Sequence, residues 1–575
     1  MGIPYLTKHL LPYADSVLLG GGPDGQNLDQ TPCVRAIVID GPSLVYHVYY
    51  RLLAWMGPAH DVLDMQPTCN EVSRAVVTCL VELSRRGIEI HKICFDGALP
   101  VSKRETRRAR IEKSRHRLEL SRRRAPTSSN EWREEVTLPP TQLWQGRNLP
   151  SRWRNLPENP FMVSAVFEDL RTRWNREQIL RVAQCDPSHL PDGDYPWAEI
   201  TVMVSGEADV ECALMSRLNG SAILTNDSDL IVHDLGPHGS VVFLNSVQLV
   251  EGTEDKASSQ IRAMRLHPKE LANRLGIKDV QRFAYELNEN PQLGFSELVR
   301  RSKDNQGKRY HSDKYHDFLR EYQPDTGRSL PFQGSAYVQN LDARVSELFW
   351  QYELPEVFCE ADQPHIYLGI LFEDHSRRCA WEIGRFYRAL GYSLLNQAHP
   401  LTRQFTTVCE FVRRGTRIVA EQITLGGSKT VASDLSMLQK RLDLARSVFK
   451  AADQSTFWVM FAIAEIYRDP SSQASLPGAV QLERYLTRGF LEQGTKWTDV
   501  HLLAQIHAVL YSLRMLQQLV RFLPDDNLSG SNRLMLSNLP PLHNLLLSRQ
   551  EIVQRFLNSG ELAHGLVYQL FKTYG

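Results

Sequence analysis

Two acidic pairs stand where chemistry could be done. Glu207 and Asp209, in G-E-A-D, follow the apolar run Ile200 to Val204, and Asp227 and Asp229, in N-D-S-D, follow a second run, Ala222 to Leu224. Each pair thus lies at the mouth of an expected buried parallel strand, where open α/β sheets place their ligands. The plain alternative for one such pair is helix capping. Two pairs after two successive strands bring four carboxylates together, and such charges repel unless cations or protons lie between them. That chemistry is a hard-cation site for Mg²⁺ or Mn²⁺.

Stepping outward, two more strands end in acid. RAIVI, residues 35–39, leads into Asp40 and Gly41, and IEIHKICF, residues 88–95, leads into Asp96 and Gly97. Between them Glu71 to Arg86 carries helical spacing in Val72, Val76, Val77, Leu80 and Leu83, which completes a strand, helix, strand unit. A single Asp-Gly after a strand is usually a turn. Four strands each ending in acid are a pattern.

Soon after Asp96, residues 103–124 hold eleven Lys or Arg against three Glu, with no Pro or Gly. A helix basic nearly all the way round is expected here. Its alternatives are a solvated or nuclear-localisation helix and an element that grips phosphates; its place beside the acids favours the second. Residues 125–160 then hold six prolines and Trp132, Trp144 and Trp153 among polar residues, an irregular insertion whose tryptophans either stack on bases or anchor the loop. Residues 1–20 suggest a short amphipathic helix broken by Pro12 and then a loop, 267–288 two short helices around Gly276, and 303–334 a linker. From 336 onward the apolar spacing is helical throughout.

The chain has 575 residues, enough for two to four domains, and its 66 basic residues balance 66 acidic ones, so only local clustering can speak of partners. Nine cysteines are scattered singly, which argues against a zinc module or a disulfide framework and for a reducing compartment. No apolar run is long enough to cross a bilayer, so no membrane role is expected.

Taken in order, these pieces resemble the flap endonuclease/XPG family of structure-specific nucleases. The matching motifs are the M-G-I start, strand-Asp40, F-D-G with Asp96, E-A-D-x-E-C-A from Glu207 to Ala213, and T-N-D-S-D from Thr225 to Asp229. The stretches MGIPYLTKHL, VIDGPSLVY and FDGALPVSK look most like its Asteroid branch. The resemblance implies an α/β fold, a PIN-like three-layer domain with a mainly parallel central sheet, over residues 1–260. Within it lie a basic arch helix at about 103–124 and an irregular insertion at about 125–198. It implies further that 261–335 replaces the family's helix-two-turn-helix clamp, and an all-α domain is expected over 336–575.

By the same resemblance Asp40, Asp96, Glu207, Asp209, Asp227 and Asp229 are six of seven metal-site carboxylates, binding two Mg²⁺ or Mn²⁺ ions. Lys103 and Arg110 are the basic pair that contacts the cleaved phosphate. Gly2, Tyr46, Arg104, Arg107 and Arg108 join them in holding nucleic acid. The seventh acid's place reads Leu287-Asn288-Glu289-Asn290-Pro291, so Asn290 replaces it unless Glu289 supplies it. The implied activity is metal-dependent endonuclease cleavage of DNA flaps, overhangs or single-strand junctions, with a role in DNA repair, RNA being the alternative substrate. The rival is an inactive nucleic-acid-binding scaffold with protein partners on the helical half. The nucleus is the expected location, ahead of the cytoplasm.

Overall fold

The computed structural model describes residues 3–20, 32–56, 62–123, 133, 135–151, 153–250, 260–303, 308–322, 337–359, 363–469, 476–522, 535–557 and 560–575. Nine strands make the central sheet: β1 (Asp15–Leu19), β2 (Cys33–Val34), β3 (Ala36–Asp40), β4 (Glu89–Phe95), β5 (Thr201–Met203), β6 (Ala222–Thr225), β7 (Ser240–Phe243), β8 (Gln248–Val250) and β9 (Gln260–Leu266). Their spatial order is β2-β1-β9-β7-β6-β3-β4-β5, with β8 paired to β9. The run β7-β6-β3-β4-β5 is parallel throughout. β9 runs antiparallel to both β7 and β1.

The apolar runs are buried on both faces, as a parallel sheet requires. Ile37 and Ile39 of β3, with Phe95 of β4, face one layer of helices, Gly41–Trp55, Cys69–Ser84 and Met162–Thr172; Val38 and Cys94 face the other, Ala208–Asn219 and Val280–Glu289. This is the expected three-layer α/β arrangement. Because β3 is flanked by β4 on one side and β6 on the other, the strand order reverses beside it, and a crevice opens at the carboxyl ends of the strands.

Several details differ from expectation. The loop expected after Pro12 contains β1, whose Val17, Leu18 and Leu19 are buried. β9 carries the sheet past residue 260. The span expected as a linker holds the helix Asp313–Tyr322, with Tyr315, Phe318 and Tyr322 inward. Trp144 and Trp153 are buried and anchor the insertion, while Trp132 lies outside the described residues.

The C-terminal region is mostly helical, built on the packed helices Arg385–Ala398, Gln454–Arg468 and Trp497–Leu519. It is not all-α: β10 (His365–Tyr367), β11 (Thr407–Arg414) and β12 (Arg417–Thr424) form a second sheet. Alternation of in and out residues is weak in β11, where Val408 through Arg413 are all buried, so helical spacing elsewhere masked it. The two halves share cores: Cys69, Ala98, Phe161 and Ala165 pack with the C-terminal helices, and Ile370, Phe372 and Val500 pack with the first half.

Candidate functional site

Asp40 closes β3 and caps the helix Gly41–Trp55. Its Oδ1 accepts the Ser43 N–H at 3.2 Å, and its Oδ2 accepts the Thr225 hydroxyl at 2.6 Å. Asp96 follows β4 and accepts the Ala208 N–H at 2.7 Å. Asp227 accepts the N–H of Asp229 at 2.9 Å, and Asp229 accepts the Ile3 N–H at 2.9 Å. Thus helix capping and clustering coexist. Glu207 differs, standing at the start of the helix Ala208–Asn219 with no side-chain cap bond and Lys103 Nζ 3.7 Å from its Oε1, and Asp209 lies in the first turn of that helix.

The turn after β4 has no room for a side chain at residue 97. A Cβ on Gly97 would lie 1.7 Å from the Val204 carbonyl oxygen, just past β5. This close approach draws Asp96 toward the Glu207 loop, and Gly97 N–H donates to the Gly206 carbonyl at 3.1 Å.

Asp40, Asp96, Glu207, Asp209 and Asp229 are each raised by burial first, and the Asp227 charge is among the causes for every one of them. Burial, opposed by the Thr225 bond and then reinforced by Asp96 and Asp227, pushes Asp40 up to about 7. Burial and the Asp227 charge raise Asp229 to about 6. Burial lifts Asp209 well above the carboxylate range, with Asp40, Asp227, Asp96 and Glu207 adding to it. Asp96 and Glu207 are raised chiefly by burial; Arg107 and Arg110 temper the first and Lys103 the second. Burial depresses Lys103, but Glu207, Asp229 and Asp209 outweigh it and hold the ammonium above its ordinary range.

The donor set is all oxygen and mutually repelling, which fits a hard cation. Among the described residues, however, no three His, Cys, Asp or Glu side chains are drawn into a ready-made metal cage. Asp40, Asp96, Asp227 and Asp229 are turned onto the local donors named above.

The basic helix Arg104–Arg123 borders this crevice but is not free all round. Arg107 Nη1 lies 3.1 Å from Glu347 Oε1, and its guanidinium sits 4.8 Å over the Tyr367 ring. Arg104 and Arg108 lie 5.1 and 5.7 Å over Phe411 of β11. Arg117 pairs with Glu158, and Arg122 with Asp374. Arg110 is exposed and, among the described residues, in no ion pair. Tyr46 is 42% exposed, and Gly2 lies outside the described residues.

Sequence reasoning missed several neighbours. Ser43 Oγ accepts the Asn226 N–H at 2.9 Å and steadies the acidic loop. The charge of Glu321, on the helix Asp313–Tyr322, acts on both Glu207 and Lys103. Glu347, from the helix Ala343–Glu353, is raised by burial, with Arg107 and Arg344 opposing and Asp96 adding to it. Only Thr225, inside T-N-D-S-D, had a motif to mark it. Glu289 pairs with Lys314, and Asn290 caps the helix Val280–Glu289, its Nδ2 donating to the Glu286 carbonyl at 3.5 Å. Glu211, beside the acids in sequence, pairs with Lys92.

Residues 158–425 match the family model described as XPG domain containing. The match includes Glu207, Asp209, Asp227 and Asp229 and ends one residue past β12; Asp40, Asp96 and the basic helix lie before it. No curated protein matches the chain. Among the described residues no helix is long and apolar enough to cross a membrane.

Proposed function

We propose that this chain is a nuclease of the XPG and flap endonuclease kind, closest to the Asteroid branch, which hydrolyses phosphodiester bonds of structured or single-stranded DNA with Mg²⁺ or Mn²⁺. The observation that carries the reading is the placement of six acids at or just after the carboxyl ends of four parallel strands beside a cationic helix, with burial and then neighbouring acids raising Asp40, Asp209 and Asp229. Buried like charges are unfavourable unless something bound there uses them. The match to the XPG domain model supports the same class.

In this reading Asp40, Asp209 and Asp229 would hold the metal directly and Asp96, Glu207 and Asp227 through water, and a metal so held would supply an acidified water and positive charge for the phosphate. Lys103, kept protonated by its acidic neighbours, and the exposed Arg110 hold the phosphate oxygens. Tyr46 offers its open face to a neighbouring base. Asp40 stays oriented through Ser43 and Thr225 while it does so. The basic helix suggests a nuclear location, which a fluorescent fusion would check.

A second reading, a nucleic-acid-binding scaffold without hydrolysis, is favoured by the neutral Asn290 and by Glu289 being held by Lys314. Labelled flap, overhang and single-stranded substrates with Mg²⁺ or Mn²⁺ separate the two. Cleavage is expected, reduced by about a hundredfold or more in Asp227→Ala plus Asp229→Ala. Binding with no metal-dependent product, or equal product from the double variant, would overturn the nuclease reading.

A further inference from the structure

Beside the acidic crevice the basic helix and the C-terminal half enclose a cavity of about 280 Å³, bordered by Tyr46, Asp96, Arg107, Arg110, Glu347 and Tyr367. We propose that this cavity is a subsite for one unpaired, amino-bearing nucleobase, whose edge is read by Glu347 and Tyr367. The proposal rests on the nucleic-acid reading above and adds to it which base is held and by what.

Two side chains point to a ligand. Glu347 and Tyr367 are each 3% exposed, and Glu347 Oε2 and Tyr367 Oη are buried without a hydrogen-bond partner among the described residues. Buried polar atoms in folded proteins nearly always find partners, so two orphans on side chains that border one cavity point to a partner that arrives there. Their surroundings fix the partner's character. Arg107 occupies Glu347 Oε1 and covers the Tyr367 ring, which itself stacks on Phe411 at 4.7 Å and 13°. Both groups are therefore held rigidly, with only one acceptor oxygen and one phenol left over. Tyr46 contributes a half-open aromatic face for stacking, and Arg110 brings charge for the adjoining phosphate.

A carboxylate oxygen can only accept, whereas a phenol can donate. Cytosine offers both complements on one edge, an exocyclic amino donor beside ring and carbonyl acceptors. Thymine places a carbonyl where cytosine has its amino group, so the free carboxylate oxygen would face another acceptor. The same argument disfavours uracil.

The test uses the full chain in EDTA, where metal-dependent hydrolysis is off, and measures fluorescence anisotropy with labelled dC12 and dT12. The dC12 strand is expected to bind about tenfold more tightly. Glu347→Gln, which replaces one acceptor oxygen by an amide donor, should bring the ratio to within about twofold. Tyr367→Phe, which keeps the ring over which Arg107 sits, should narrow it as well and serves if the Gln variant does not fold. Equal binding of the two strands by the unaltered chain, or an unchanged ratio in both variants, overturns the subsite while leaving nucleic-acid binding intact. Binding of neither strand overturns it together with the nucleic-acid reading on which it rests.

Discussion

Thr225 shows how the candidate site is held. Its hydroxyl donates to Asp40 Oδ2 and accepts the Asp227 N–H at 2.9 Å, so one side chain links acids that follow two neighbouring strands. Thr225→Val keeps the shape and removes both bonds. A loss of about 1–3 kcal/mol in urea unfolding is expected, because a buried carboxylate oxygen and a backbone N–H both lose their partner. No change in the midpoint would mean that the link is idle. Residues of this kind were partly legible in the chain. The acids declared themselves because each follows a strand, and Thr225 lies within their motif. Glu321 and Glu347 gave no sign, since each sits among ordinary helical residues and reaches the crevice only through tertiary packing.

At the scale of elements, the central parallel strands were legible because apolar runs bounded by acid and glycine have little else to become. β1 and β11 were hidden, the first behind a proline-marked helix and the second because burial on both faces erased alternation. The basic helix was visible as a helix, but its docking was not, since guanidinium groups over Tyr367 and Phe411 depend on a sheet more than 200 residues further along the chain. That docking divides its arginines by role. Arg110→Ala should weaken single-strand binding and lower the slope of log affinity against log salt by about one, with thermal stability unchanged. Arg107→Ala should lower stability by about 3–5 kcal/mol, because it leaves the buried Glu347 carboxylate unpaired. Salt-titrated anisotropy and thermal melts of the two variants check both, and an unchanged salt slope for Arg110→Ala would show that it meets no phosphate.

The whole molecule behaves as one body because its halves share cores. Polar contacts cross between them as well: the ion pairs of Arg549 with Asp64 and of Arg514 with Glu168 at 3.3 Å, and the hydrogen bond between His543 Nδ1 and Asp169 Oδ1 at 2.8 Å. His501 and His507, on the helix Trp497–Leu519, lie at this junction, and burial depresses each to about 4; Arg377 adds to the effect on His501, while the Leu547 carbonyl opposes it at His507. An unfolded histidine titrates near 6.5, so below that pH the unfolded chain takes up protons that the folded one refuses. Their contribution is thus fully present above about 6.5 and is lost as pH falls toward 4, at up to about 1.4 kcal/mol per pH unit for each. Asp40, Asp209 and Asp229, raised in the folded chain, act in the opposite direction over the same range, so the check is a difference between chains: from pH 7 to 5 the denaturation temperature of His507→Gln should rise relative to that of the unaltered chain. A difference that stays constant with pH would contradict this.

The second sheet has a genetic consequence. Since β10 and β11 support the basic helix, and the XPG match itself runs on to residue 425, a premature stop anywhere before that point would strip one wall from the acidic crevice rather than trim an appendage. One fragment carrying all six acids but ending before codon 340 should therefore fail to complement a null by itself.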